Sequence, residues 1–147
     1  MLNIEQNFNL NDIEKDFFQF EKQAAEDLVK TLKTVGMSTV DLARAKTKNE
    51  GGFNNITWAL RSSIGCAISD PTGNVIFTYF PPLSKGAEGS AAGISYAHEI
   101  SRLLFDGDYL LILVAGQSYA ALLENKDIDV ISGSLSSFQK ELELLLR

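Results

Sequence analysis

His98, Glu99 and Cys66 are the residues of this chain whose types suit general acid-base or nucleophilic chemistry. Their placement does not suit it. His98 and Glu99 are neighbours in a helical pattern, where consecutive side chains point about 100° apart, and Cys66 falls in an apolar strand pattern as a small core residue. Lys85-Gly86-Ala87-Glu88-Gly89-Ser90 has the glycines of a phosphate-cradling loop. It lacks the Gly-Lys-Ser/Thr ending, however, and follows a double proline where such a loop follows a strand. The single cysteine excludes an internal disulfide, fits synthesis in a reducing cytosol, and even with His98 offers too few ligands for structural zinc. The chain is therefore expected not to be an enzyme and to carry no cofactor and no metal.

Composition permits one globular domain, residues 1–147: hydrophobic residues make up 45% and charged residues 22%. A chain of this size buries roughly two-thirds of its unfolded surface. The longest apolar run, Tyr109 to Ala115, is far below the roughly 20 residues of a membrane span, and no basic-then-apolar leader is expected at the N-terminus. The net charge of −6 counts against the whole chain binding nucleic acid, because phosphate contacts draw on clustered Lys and Arg. One stretch departs from that balance, since Arg44, Lys46, Lys48, Glu50 and Arg61 are the ionisable residues between 44 and 61. A solvated loop is the plain reading, and a surface at Lys46 and Lys48 facing DNA or an acidic partner is the sharper one.

The elements that position these residues follow from periodicity. Leu10 to Val35 reads as a long helix, with Asn11 as N-cap, Glu14 three residues on, and Phe17, Phe20, Ala24, Leu28, Leu32 and Val35 along one face that should be covered. Gly36 is expected to stop or bend it, with a second short helix from Ser38 to about Ala45. Asn54 or Asn55 is a candidate cap for a turn carrying Trp58, Leu60 and Arg61. Ile64–Ser69 and Val75–Phe80 form a hairpin about Asp70-Pro71-Thr72-Gly73-Asn74, closed by Pro81 and Pro82. Ser90 is a cap for a middle helix, 91–105, with Ile94, Ala97, Ile100, Leu103 and Leu104 on one face. The continuous apolar run Tyr109–Ala115 reads as a central strand covered on both faces. Ser118–Glu124 is open between strand and helical turn, Asp127–Ile131 reads as a last short strand, and Ser134 opens a C-terminal helix, 134–146, burying Leu135, Phe138, Leu142 and Leu145. The sum is an α+β fold: a small, mainly antiparallel sheet (hairpin 64–80 plus strands within about 109–131) packed with long N-terminal, middle and C-terminal helices.

Two segments carry more than local structure. Thr57-Trp58-Ala59-Leu60-Arg61-Ser62-Ser63-Ile64 and Tyr119-Ala120-Ala121-Leu122-Leu123-Glu124 resemble the two signature segments, roughly T-G-x-L-R-x-S-I and Y-A-x-x-V-E, of the tailed-bacteriophage head-to-tail joining and tail-completion proteins (minor tail or neck proteins). Thr57, Leu60, Arg61, Ser63 and Ile64 match the first, and Tyr119, Ala120 and Glu124 the second. Trp58 stands where that family has glycine, so an ordinary helical backbone is expected there; Leu123 replaces a common valine.

The resemblance implies a structural virion protein of the head–tail connector. Its implied partners are copies of itself in a homo-oligomeric ring and other phage neck, portal-side and tail proteins. DNA passes through such a ring without sequence-specific binding, and no membrane is involved. An Arg61–Glu124 ion pair, within a subunit or between subunits, is the expected use of the two charged motif residues, with separate solvation as the alternative. Tyr119 is expected in the core and Trp58 at an interface. A different class, a roadblock-like or profilin-like regulatory protein-binding module, shares the order helix, hairpin, helix, apolar strand, helix by analogy of architecture.

Overall fold

The computed structural model describes residues 9–54, 58–118 and 120–145. By contacts the chain divides into two compact units, residues 1–30 and 31–147. One helix, α1 (Leu10–Ala45, 36 residues), begins in the first and ends in the second. There is no break at Gly36. A Cβ there would come within 2.9 Å of Cys66 Sγ and 3.1 Å of Leu111 Cδ1, so glycine serves close approach of helix to strand. The roughly 1 kcal/mol helix penalty of glycine is offset by that contact instead of ending the helix.

Within the second unit three layers can be followed. Strands β1 (Ile64–Ser69), β2 (Val75–Tyr79) and β3 (Leu110–Ala115) form an antiparallel sheet in the order β2-β1-β3. All six β1 residues are buried, whereas β2 alternates between half-buried and exposed. Asp70 holds the hairpin as expected: its carboxylate accepts the amides of Thr72 (2.9 Å) and Asn74 (3.1 Å), and Gly73 takes a φ of +88°. Period-2 alternation sends Ile64, Cys66 and Ile68 to one face and Gly65, Ala67 and Ser69 to the other. The C-terminal part of α1 covers the first face, with Leu32, Val35, Val40 and Ala43 buried. Helix α3 (Ala87–Leu104) covers the second through Gly89, Gly93, Ala97 and Ser101, a stripe repeating every four residues. Ala67, Ala97, Ile112 and Val114 make the core on that side. Full burial of an aliphatic side chain such as Ile64 contributes roughly 1.5–3 kcal/mol, so these two interfaces hold the sheet between the helices.

Several expectations are corrected. The run before Gly116 is an edge strand, and β1 is the central one. A continuous apolar run reports cover on both faces, which α1 and α3 supply; it carries no information about edges. Residues 127–131 form no strand, and residues 120–124 form a short helix, α4 (Ala120–Glu124). The middle helix begins at Ala87 after Gly86 in a left-handed conformation (φ +81°), not at a Ser90 cap. The last helix, α5 (Ser132–Leu145), starts two residues before Ser134, and Leu135 and Leu145 are exposed. The stripe on α1 is covered only from Leu32 onward: Phe17 and Phe20 are 62% and 71% exposed. Trp58 does not adopt a helical backbone. It caps α2 (Ala59–Ser63) at φ +65°, the left-handed conformation that glycine adopts freely.

Candidate functional site

The two motif segments converge on one patch of core. Leu60 and Ile64 from the first and Ala120 from the second share a cluster with Ala43, Phe53 and Val130, and Leu123 packs against it. Among the described residues, their charged members form no ion pair with each other within one chain. Arg61, 8% exposed, donates to the Lys46 carbonyl (2.8 Å) and stacks over the Phe53 ring at 4.8 Å. Glu124 instead gathers the chain entering α5: its carboxylate accepts the amides of Val130 (2.9 Å), Ile131 (2.8 Å) and Ser132 (3.1 Å) and the Ser132 hydroxyl (2.6 Å). Burial pulls the Glu124 pKa up, but these bonds together outweigh it and leave it below the usual carboxylate range. Ser63 donates its hydroxyl to the Leu60 carbonyl (2.7 Å), closing α2 onto β1. Thr57 and Tyr119, and Asn55 as a candidate cap, lie outside the described residues.

Arg44 organises the same junction and was marked by the sequence only as one charge in a basic stretch. Its Nε donates to Ile64 O (2.8 Å), Nη1 to Pro81 O (2.6 Å) and Nη2 to Ser62 O (2.9 Å). The guanidinium thus ties the end of α1 to the start of β1 and to the exit of β2, where proline ends the ladder. Burial lowers its pKa, against weaker opposing pulls from Tyr79 and Asp41. The available signal was position: an arginine in the last turn of a helix, beside Val40 and Ala43 on the buried face.

Lys46 forms an ion pair with Asp129, which ties the loop after α1 to the approach to α5, while Lys48 is exposed in the 3-10 turn 48–50. Cys66 lies at the α1 face of the sheet, and burial pushes its thiol up to about 12. His98 and Glu99 belong to α3 on the opposite face, so the sheet stands between them and the thiol. The Lys85–Ser90 segment is packed on α2 through the Ser62 hydroxyl to Lys85 O (3.2 Å) and the Ser90 hydroxyl to Ser62 O (3.1 Å). Among the described residues no group of acidic, histidine or cysteine side chains has metal-binding geometry, and no helix is long and apolar enough to cross a membrane.

What the molecule does present is apolar surface of two kinds. In the first unit, α1 exposes Leu10, Ile13, Phe17, Phe18 and Phe20. In the second, a groove of about 270 Å³ runs along the outer edge of β3, between Tyr96 and Ile100 of α3 and Ala121, Val130 and Ile131 beyond the strand. Both surfaces are mainly apolar, and apolar surface is what proteins use to recognise partners and ligands. Compared with known proteins, the chain matches no family model, no curated protein and no solved structure.

Proposed function

We propose that this protein is a non-enzymatic assembly subunit, a structural virion protein of a tailed bacteriophage that forms part of the head–tail connector ring through which DNA passes. The observation that carries the assembly reading is the bare stripe on α1: Leu10, Ile13, Phe17 and Phe20 recur at steps of three and four and are all exposed. Together they offer roughly 500 Å² per copy, so two such surfaces reach about the 1,000 Å² that a specific interface needs. The connector reading within that class rests on the two motif segments, and it is supported by their meeting in one core cluster. The buried motif arginine and the capping glutamate serve the subunit's own fold in this reading, which leaves the ring contacts to apolar side chains.

The order of helix, hairpin, helix, strand and helix favours a second reading, a roadblock-like or profilin-like protein-binding module. Stoichiometry separates them. Light scattering after size exclusion, followed by electron cryo-microscopy of the neck of the intact particle, is expected to show a closed ring of many copies. Phe17→Glu combined with Phe20→Glu is expected to dissolve it into smaller species with the circular dichroism of the second unit retained. An assembly that stops at two copies, or ring formation unaffected by the double substitution, would overturn the connector reading.

A further inference from the structure

We infer that β3 pairs antiparallel with β3 of a second copy about a two-fold axis at Leu113, joining two three-stranded sheets into one. The Gly116 amide donates to Ser63 O at 3.2 Å, toward β1. Amide and carbonyl directions alternate along a strand, so Leu110, Ile112 and Val114 face β1, and Leu111, Leu113 and Ala115 turn both their polar groups outward. Among the described residues β3 has no strand neighbour on that side. Monomeric proteins guard such an edge with charge, proline or a bulge. Tyr109 to Gln117 holds no charged residue and no proline, and its register with β1 is unbroken.

The occupant follows from the shape and charge of the edge. The groove walls flank only the Leu113–Ala115 half. About a two-fold at Leu113, Leu111 of one copy stands opposite Ala115 of the other, so the unwalled, apolar half of each strand enters the walled half of its partner. Leu110 then faces Tyr96 and Ile100, and Leu111 faces Val130 and Ile131. Antiparallel pairing also sets Asp108 across from Ser118, whereas a parallel arrangement would stack Asp108 on Asp108. Each outward residue exchanges both of its bonds with the partner, and the interface is isologous. It uses none of the α1 stripe, so the pair can form alone or as a building block of a larger assembly.

The test is amide hydrogen exchange by NMR on the full chain at low and high concentration, alongside light scattering. It is run also with Phe17→Glu and Phe20→Glu in place, so that loss of the helix contacts and loss of the strand contacts are read separately. The expected result is β3 pairing in both backgrounds, inside the larger assembly for the parent chain and as a free dimer once Phe17→Glu and Phe20→Glu remove the helix contacts. Ile112 and Val114 amides are protected at every concentration, and Leu111, Leu113 and Ala115 amides only where the dimer is populated. Ala115→Pro, which removes an outward donor and leaves the β1 ladder intact, is expected to raise the dimer dissociation constant roughly tenfold or more. Protection of Ile112 and Val114 in that variant reports that the sheet has formed. A chain that stays monomeric, an oligomer whose Leu111, Leu113 and Ala115 amides exchange freely, or undiminished pairing in a folded Ala115→Pro variant would each overturn the inference.

Discussion

Replacing Arg44 tests the central positional claim, that one guanidinium holds three segments together. Its three bonds, at 2.6 to 2.9 Å, end on the carbonyls of Ser62, Ile64 and Pro81, and the side chain is only 8% exposed. Arg44→Met keeps most of the volume and removes every donor. A buried carbonyl left without a partner costs about 1–3 kcal/mol. Ser62 O keeps the Ser90 hydroxyl, so the two carbonyls left bare, of Ile64 and Pro81, set an upper bound of about 6 kcal/mol. Water entering the vacated space satisfies part of that demand, and the protein no longer bears the desolvation of a buried cation, so a net loss of roughly 2–3 kcal/mol is expected. Against a typical stability of about 5–15 kcal/mol, the variant should be folded but visibly weakened. Arg44→Lys places one ammonium where a fork stood and reaches fewer of the carbonyls, for about half the loss. Equilibrium urea unfolding followed by tryptophan fluorescence and circular dichroism measures both. If Arg44→Met lies within about 1 kcal/mol of the parent at equal m-value, the carbonyls have other partners and the reasoning fails.

Trp58 at φ +65° should bear the left-handed penalty of about 1–2 kcal/mol, so Trp58→Gly is expected to be more stable than Trp58→Ala by that amount in thermal or urea unfolding; equal stabilities would refute the strain. Glu124 titrates below its ordinary value of 4.5, so its contribution is fully present above that pH and is lost as pH falls through the depressed folded value. The stability gap between the parent and Glu124→Gln should therefore be open at neutral pH and close in acid, and a gap independent of pH would contradict the capping role. Cys66, fully buried with its thiol raised to about 12, should resist a thiol reagent at pH 8 in the native protein and react on unfolding; fast native labelling would contradict the packing at Gly36.

The α+β class, the hairpin and its Asp70–Asn74 turn, and the helix between β2 and β3 were legible because each is written in local periodicity and turn chemistry. Gly36 misled because its helix penalty is local while its compensation, contact with Cys66, is supplied by a residue 30 positions later. Leu110–Ala115 misled for a related reason: hydrophobicity encodes which faces are buried, and strand order depends on which strands pair on either side of β1. At Trp58 a side chain other than glycine's predicts an ordinary helical backbone, yet the residue takes the left-handed conformation that glycine adopts freely. The ligands of Arg61 and Arg44 were not legible at all, since they are main-chain carbonyls, and a carbonyl has no letter in a sequence.

The order β2-β1-β3 has a consequence for how the chain emerges during synthesis. The β1–β2 hairpin closes across a five-residue turn and can form in microseconds. The other side of β1 waits for β3, whose Ala115 lies 51 residues after Ile64. At roughly 5–20 residues per second of translation, that interval lasts on the order of several seconds. For that time the most deeply buried strand of the finished sheet has one unpaired side and no α3 over its second face. The small residues Gly65, Ala67 and Ser69 occupy that uncovered face. A nascent chain carrying bulkier apolar residues there would offer more to a chaperone or to a neighbouring nascent chain, so the glycine- and serine-rich packing that suits the finished sheet also keeps the waiting strand inconspicuous.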